Sequence, residues 1–300
     1  MRAVVLNSFD GIDGLELSEV ADPETGEGEV PVTVRAAGLG PWDLSGAKGG
    51  FKDVGGSADF PQIQGWDFAG ETDQGERVFG FVAAPFMGIG SFAEKLSVPP
   101  AVLAGLPEEI SFEDGAALPV AALTARLLVN HVHVSKDDLV LITGAVGGVG
   151  GSAVQQCRTA GARVIAAVRA KDADAARELG AEEVVETGPD LEAEVREKYT
   201  DGVDACIDTI GLGGEAIVCV RDGGNFVTSV PSAVPDTQRG IYPGTVQVQP
   251  DGPSLAQLAS RVVEGDLTAR VVKTLPIDEF EQGYELLAQG GLGGKIVFTL

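Results

Sequence analysis

The chain has 300 residues, of which 44% are hydrophobic, enough for one or two domains that each bury a core. It carries 21 Lys and Arg against 45 Asp and Glu, and the formal net charge of −24 at pH 7 disfavours binding to nucleic acid or to anionic membranes. No apolar run is long enough to span a membrane and the N-terminus lacks the layout of a secretion signal, so we expect a cytoplasmic protein with neither kind of partner.

Short alternating apolar runs, separated by Gly, Pro and Asp, occupy residues 1–100. They predict strands over Arg2–Leu6, Val30–Ala37, Arg77–Ala83 and Phe92–Val98. Strands spaced in this way are typical of an antiparallel, barrel-like β domain. A helix with a capping-box-like start is predicted to follow over residues 111–128.

A strand, a glycine-rich turn and a helix come next. The apolar run Leu139–Thr143 predicts a strand buried on both faces, and the helix is predicted from Val149 to about Ala160, ending at Gly161. Between them the chain fits the dinucleotide fingerprint A-x-G-x-x-G, in which glycines let the backbone approach a pyrophosphate at the helix N-terminus. The alternative is a tight turn with no ligand. We expect the turn residues to bind a nucleotide: Gly144, Val146, Gly147, Gly148 and Val149.

The end of the second strand, Arg163–Val168, indicates which nucleotide this is. NAD enzymes place an acidic residue here to bind the ribose hydroxyls, whereas this strand is followed by Arg169 and Lys171. Two cations suit a 2′-phosphate, so the sequence favours NADPH as the cofactor. Asp172 and Glu186 are close in sequence and keep open the alternative that both cations are ordinary surface residues.

Strands and helices continue to alternate up to about residue 248. The strands Asp204–Thr209, Asn225–Val230 and Gly244–Val248 predict a doubly wound parallel sheet. An amphipathic helix is expected over Ser254–Gly265, and a strand, a helix and a closing strand over residues 271–300.

The cysteines and histidines, the residue types that bind zinc most often, are few and scattered. The cysteines lack a C-x-x-C spacing and lie in apolar elements, so buried, reduced thiols are expected at Cys157, Cys206 and Cys219. His131 and His133 are the only histidines, and two histidines alone cannot form a catalytic zinc site. We therefore expect no metal.

Several short segments occur in a fixed order: VTVRAAGLGPWD, GWDFAG, GERVFGF, LITGAVGGVG, GVDACIDTIG and GGKIVFTL. Together they resemble the medium-chain dehydrogenase/reductase superfamily, in its zinc-free quinone oxidoreductase (zeta-crystallin-like) branch. The resemblance implies a GroES-like, mostly antiparallel catalytic domain formed by residues 1–120 and 266–300, with a Rossmann domain inserted over residues 121–265. It also implies a homodimer formed through the strand Gly244–Val248.

The zinc-dependent branch resembles this chain at three positions but has ligands there. Gly40, Trp66 and Pro119 stand at those positions and none of them binds zinc. Without a metal, the chemistry that is left is hydride donation to an acceptor that spreads the incoming charge itself. We therefore expect an NADPH-dependent reductase of quinones or α,β-unsaturated carbonyls.

Further cofactor contacts follow from the resemblance and the topology. Similar proteins contact the nicotinamide near Thr124 and the 2′-phosphate near Thr187. By topology, Thr209 and Ser229 lie on the cofactor side of the sheet.

For the substrate side, two interpretations are open at each candidate. Trp42 and Trp66 either stack on a flat substrate or belong to the core. Asp43 either orients the ribose or a water molecule, or bonds its own backbone. Asp67 is either a proton donor with a raised pKa or a structural hydrogen-bond acceptor. Tyr242 is either a proton donor or a packing residue.

Two other functions are kept as alternatives. One is a dedicated biosynthetic ene-reductase that acts on enoyl thioesters. The other is a non-catalytic NADPH-binding redox sensor, which Gly40 and the lack of an obvious acid favour.

Overall fold

The computed structural model describes residues 1–300, which divide into two compact units. The first contains residues 1–120, 249–265 and 269–300, and the second contains residues 121–248 and 266–268. The sequence prediction assigned residues 249–265 to the inserted domain, but their helix packs on the first unit. Gly252 lies so close to Leu103 in that unit that a Cβ on Gly252 would stand 2.1 Å from the Leu103 carbonyl oxygen.

The first unit contains ten strands and five helices. Its strands are β1 (Arg2–Leu6), β2 (Leu15–Glu19), β3 (Val30–Leu39), β4 (Gln62–Ile63), β5 (Asp67–Thr72), β6 (Arg77–Phe81), β7 (Lys95–Val98), β8 (Leu103–Gly105), β15 (Val271–Pro276) and β16 (Lys295–Thr299). Its helices are α1 (Pro41–Ala47), α2 (Ala84–Met87), α3 (Phe112–Ala117), α9 (Gly252–Val263) and α10 (Phe280–Gln289).

Two sheets build this unit, and they are antiparallel except for the pair β15–β16. One has the order β2-β1-β4, and the other has the order β15-β16-β3-β5-β6-β8 with β7 paired to β3. Their inward residues form one core in which the ring centroids of Phe92 and Phe298 lie 5.2 Å apart in an edge-to-face contact. Strands from both ends of the chain thus share one sheet, as predicted.

The second unit is a six-stranded parallel sheet with helices. Its elements are α4 (Pro119–His131, the first two residues counting with the first unit), β9 (Leu139–Thr143), α5 (Gly148–Thr159), β10 (Arg163–Val168), α6 (Ala173–Glu178), β11 (Glu183–Glu186), α7 (Leu191–Lys198), β12 (Val203–Asp208), α8 (Gly214–Ile217), β13 (Val220–Thr228) and β14 (Gly244–Thr245). The strand order is β11-β10-β9-β12-β13-β14. This is the predicted doubly wound sheet, and the order reverses at β9, where such folds bind ligands.

The predicted helix over residues 111–128 is divided in two. Ser111 caps α3 by accepting a hydrogen bond from the amide of Asp114, as expected. Pro119 then ends α3 at Ala117 and begins α4, because proline has no amide hydrogen to donate and fits only the first turn of a helix. None of the helices has the length and apolar character needed to cross a membrane.

Candidate functional site

Two positions of the turn between β9 and α5 have room only for glycine. Gly144 has a φ of +60°, and a Cβ there would stand 2.5 Å from Cγ2 of Ile210. A Cβ on Gly150 would stand 2.2 Å from the carbonyl oxygen of Gly144. The turn is therefore so tight that neither position has room for a Cβ atom, and the start of α5 packs directly against the backbone of the turn.

The N-terminus of α5 fits an anion. No side chain caps this helix at Gly147, and its first turn carries no acidic residue. The amides at the start of an α-helix have no partner within the helix, so those of Gly148 and Val149 suit a pyrophosphate. Val146 is buried in the core, and only its backbone can take part.

The carboxyl ends of β10 and β11 bring Arg169, Lys171 and Thr187 to one edge of the sheet. The amide of Thr187 donates to the carbonyl of Val168 over 2.9 Å, which fixes the two strand ends together. The guanidinium of Arg169 is held by Asp172, with Nη2 and Oδ2 at 2.6 Å, and its side chain is 45% exposed. Asp172 therefore orients the arginine that we predict to bind phosphate, and Lys171 is exposed beside it.

A buried carboxylate that sequence reasoning missed links the ends of β9 and β12. Thr143 donates its hydroxyl hydrogen to Asp208 over 2.7 Å, and Asp208 also accepts the amides of Gly211 and Gly213. The hydroxyl of Thr209 donates to the carbonyl of Thr143 over 2.7 Å. Thr209 thus holds the turn together with its side chain. The sequence signal for this carboxylate was an aspartate, Asp208, at the end of an apolar strand.

The remaining predicted cofactor residues lie in the second unit. Ser229 follows the carboxyl end of β13 and is half-buried, and its amide donates to the carbonyl of Asp208. Thr124 lies in α4 and is buried.

In the first unit, the position of the Trp42 ring leaves room only for glycine at position 40. Gly40 precedes α1, and a Cβ there would stand 2.3 Å from Cζ2 of the indole. On this indole lies the ammonium of Lys295, with Nζ 4.3 Å from the ring centroid. The absence of a side chain at position 40 therefore makes room for a tryptophan ring.

Asp43 binds the backbone of the same segment, three residues before it. Its Oδ2 accepts the amide of Gly40 over 2.7 Å, while its Oδ1 is buried without a hydrogen-bond partner. Burial raises the pKa of Asp43 well above its ordinary value, and the nearby Lys295 opposes this shift. The hydroxyl of Tyr284 is also buried and unpartnered, and burial, with a smaller effect of Asp43, raises its pKa.

Asp67 is a structural acceptor. Its Oδ1 accepts the amide of Val120 in the first turn of α4 over 2.7 Å, and its Oδ2 accepts Nζ of Lys295 over 2.8 Å. Burial raises the pKa of Asp67, against the effects of Lys295 and the Val120 amide. Lys295, which sequence reasoning missed, stands at the start of an apolar strand and is 4% exposed.

Both tryptophans belong to one aromatic cluster in the first unit. Its ring centroids lie 6.4 Å apart for Trp42 and Trp66, 5.6 Å for Phe51 and Trp66, and 6.3 Å for Trp66 and Phe81. Phe86 lies 5.7 Å from Phe51 and is 40% exposed, whereas Trp66 is 7% exposed. The cluster therefore extends from the core to the surface.

Tyr242 and the cysteines complete the predicted residues. Tyr242 is 79% exposed, so it is not packed in the core of its own chain. All three cysteines are buried and free, as expected. No group of three or more His, Cys, Asp or Glu side chains is arranged to hold a metal ion.

Comparison with known proteins shows that the chain is similar to dehydrogenases and oxidoreductases. A family model described as zinc-binding dehydrogenase matches residues 148–231. The quinone oxidoreductase of Thermus thermophilus, whose structure is also known in complex with NADPH, is 30% identical with a TM-score of 0.84 and full coverage of both chains. A structure described as an NAD-dependent alcohol dehydrogenase is 28% identical with a TM-score of 0.89, again over both whole chains. The chloroplastic NADPH-dependent alkenal/one oxidoreductase of Arabidopsis thaliana is 26% identical over 99% of this chain and 79% of its own length.

Proposed function

The chain belongs to the quinone oxidoreductase-like branch of the medium-chain dehydrogenase/reductase superfamily, and from this premise we propose that it is a zinc-independent, NADPH-dependent reductase of quinones or α,β-unsaturated carbonyls. At the coarser level it is an oxidoreductase that uses a nicotinamide cofactor. The observation that carries the proposal is the glycine turn at the carboxyl end of β9, where the strand order reverses.

When bound, the reduced nicotinamide supplies a hydride, and the acceptor takes one further proton from solvent. Gly144 and Gly150 let the backbone approach the pyrophosphate, and the first amides of α5 donate to it. Arg169, oriented by Asp172, would pair with the 2′-phosphate. Asp208 holds the ends of β9 and β12 in a fixed position beside this turn.

The residues predicted to lie on the substrate side favour reduction without a metal. By the resemblance, Gly40, Trp66 and Pro119 occupy the positions of the zinc ligands in the zinc-dependent branch, and their side chains bind no metal. The nearby carboxyls of Asp43 and Asp67 are buried. Quinones and enones fit such a site because they spread the incoming charge over a conjugated carbonyl system and need little acid catalysis.

The test is NADPH oxidation, followed by its absorbance, with a panel of quinones, enones and enoyl thioesters, with and without a zinc chelator. We expect turnover with quinones or enones that the chelator leaves unchanged. A clear preference for the thioester would instead identify a dedicated ene-reductase. Tight NADPH binding without turnover of any acceptor would contradict the proposal and favour the redox sensor.

We also propose a homodimer. β14 is one of the two edge strands of the six-stranded sheet and pairs on one side only, with β13. It covers Gly244–Thr245 and is therefore shorter than the strand predicted over Gly244–Val248. An unpaired strand edge is a ready site for pairing with a second copy. Sedimentation equilibrium at several protein concentrations tests this, and a monomer throughout would contradict it.

A further inference from the structure

The carboxylate of Asp208 is surrounded by hydrogen-bond donors at the end of β12. Its Oδ1 accepts the hydroxyl of Thr143 over 2.7 Å and the amides of Gly211 over 3.0 Å and Ile210 over 3.3 Å. Its Oδ2 accepts the amide of Gly213 over 2.9 Å. The residue is fully buried, and an ionised carboxylate, which only accepts hydrogen bonds, matches these four donors.

The backbone of residues 209–213, the β12 loop, is folded around this carboxylate. Gly213 has a φ of +53°, and a Cβ there would stand 2.5 Å from the carbonyl oxygen of Ala233, so the loop can take this course only with glycine. Backbone amides that converge on one point form anion-binding sites in other proteins. In the β12 loop that anion is a side chain of the protein itself.

The β12 loop also contacts the glycine turn between β9 and α5. The hydroxyl of Thr209 donates to the carbonyl of Thr143 over 2.7 Å, and the Thr209 amide donates to the Thr143 hydroxyl over 3.0 Å. The side chain of Ile210 lies against Gly144, where a Cβ would stand 2.5 Å from Cγ2 of Ile210. Ile210 is 49% exposed, so the hydrogen bond from its amide to Asp208 contributes to holding it there.

The charge of Asp208 allows two opposite expectations for an anionic ligand at the glycine turn. A negative charge repels a nearby anion, so repulsion alone predicts that removal of the carboxylate strengthens pyrophosphate binding. Where the carboxylate fixes the turn, its removal weakens binding, because the β12 loop loses the anion around which it is folded. The structure favours the second expectation, since four hydrogen bonds satisfy the carboxylate and one of them comes from Thr143, the last residue before the turn.

We propose that Asp208 is a positioning residue: it serves as an internal anion that fixes the β12 loop on the glycine turn and keeps the turn in the form that accepts a pyrophosphate. The inference rests on the proposed function, because it takes this turn as the pyrophosphate site. It adds a residue to cofactor binding and assigns the amides of the β12 loop to Asp208, which leaves those of α5 for the cofactor.

The test measures by calorimetry the Kd of NADPH and of adenosine 2′-monophosphate, which has the 2′-phosphate but no pyrophosphate. Asp208→Asn keeps the size of the side chain but replaces one oxygen by an amino group that faces donors. The matched control is Asp204→Asn in the same strand. Asp204 accepts the amide of Leu139 in β9 over 2.9 Å and pairs with Arg221 over 2.8 Å, so it links the same two strands at the end away from the turn.

We expect the Kd of NADPH to rise about tenfold in Asp208→Asn, since a hydrogen bond to a charged group is lost, and the Kd of adenosine 2′-monophosphate to stay within about twofold. Asp204→Asn should leave both constants within about twofold of the wild-type values. An unchanged or lower Kd of NADPH in Asp208→Asn would overturn the inference and leave the proposed function intact. Equal losses for both ligands, or in both variants, would show a general loss of stability and would overturn it as well.

Chemical rescue gives a further readout. Asp208→Ala removes the internal anion, and formate carries the same carboxylate group on a single carbon. We expect sodium formate to restore much of the lost NADPH affinity and sodium chloride of equal ionic strength to restore none. Equal effects of the two salts would contradict the role of Asp208 as an internal anion.

Two measurements keep the inference testable where a variant or the cofactor fails. If Asp208→Asn does not fold, Thr143→Val, which removes one donor to the carboxylate, replaces it, and the same direction of change is expected. If the wild-type protein binds no NADPH, the proposed function fails, and amide hydrogen exchange of residues 144–150 then decides. Faster exchange in Asp208→Asn than in Asp204→Asn supports positioning of the turn by Asp208, and equal exchange overturns it.

Discussion

At the residue scale, two buried carboxyls share one ammonium. Asp67 contacts Lys295 directly, whereas Asp43 is 1% exposed and has one oxygen without a partner. The free-energy cost of ionising the buried carboxyl therefore differs between the two side chains, and their substitutions should have opposite effects on the stability of the protein.

Asp43→Asn should stabilise the protein at alkaline pH. Burial raises the pKa of Asp43 in the folded chain above its unfolded value, so wild-type stability falls as the pH rises through the interval between the two values. Asparagine keeps an acceptor for the Gly40 amide and has no charge to bury. We expect the melting temperature at pH 8 to rise by roughly 2–4 °C, with a smaller gain at pH 4. The exposed Asp53→Asn is the control, and an equal effect at both pH values would contradict the assignment.

Asp67→Ala should be strongly destabilising. It leaves the buried ammonium of Lys295 without its partner, a change that costs about 3–5 kcal/mol in buried ion pairs. It also removes the acceptor for the Val120 amide. Urea unfolding measures the loss, and Asp67→Asn combined with Lys295→Met should recover most of it. Equal stability of Asp67→Ala and the double variant would show that the charge is not the cause.

Arg169→Ala should weaken NADPH binding about tenfold or more and leave NADH binding unchanged, because a charge-assisted hydrogen bond to the 2′-phosphate would be lost. Fluorescence titration with both cofactors measures the ratio. The control is Arg177→Ala, which removes an exposed arginine paired with Asp174 in α6. Equal wild-type affinities for the two cofactors would refute the phosphate assignment.

At the scale of elements, the β9–α5–β10 unit was predictable and the buried ion pair was not. Local signals decide the first: β9 and β10 begin and end where the apolar runs do, and glycines mark the turn. The partners Asp67 and Lys295 are 228 residues apart, and no local pattern joins them. The helix over residues 252–263 was assigned to the wrong unit for the same reason, because its amphipathic pattern says that one face is buried but not against which strands.

Gly150→Ala should disrupt the turn between β9 and α5. Its Cβ would stand 2.2 Å from the carbonyl oxygen of Gly144, which is backbone and cannot rotate away. We expect a loss of about 2 kcal/mol or more in stability and no measurable cofactor binding. Gly105→Ala in β8 of the first unit is the control, since a Cβ there meets no atom within 4 Å. A variant that binds the cofactor normally would show that the turn is not the pyrophosphate site.

At the scale of the whole molecule, the net charge of −24 opposes an anionic cofactor. The range of this repulsion is about 30 Å at 0.01 M salt and about 8 Å at 0.15 M. The local cations at the strand end act over shorter distances. We therefore expect the association rate of NADPH, measured by stopped flow, to rise severalfold over this salt range. A rate that falls with salt would mean that attraction by local cations dominates the encounter.

The cysteines of the second unit have a consequence for the quinone reduction proposed above. Thiolates add to quinones by conjugate addition, so a protein that reduced quinones would be exposed to arylation by its own substrate. Burial raises the pKa of Cys157 to about 12 and that of Cys219 to about 11, and it raises the pKa of Cys206 as well. With all three thiols buried and held in the less reactive protonated form, the folded chain offers no exposed thiolate for this arylation.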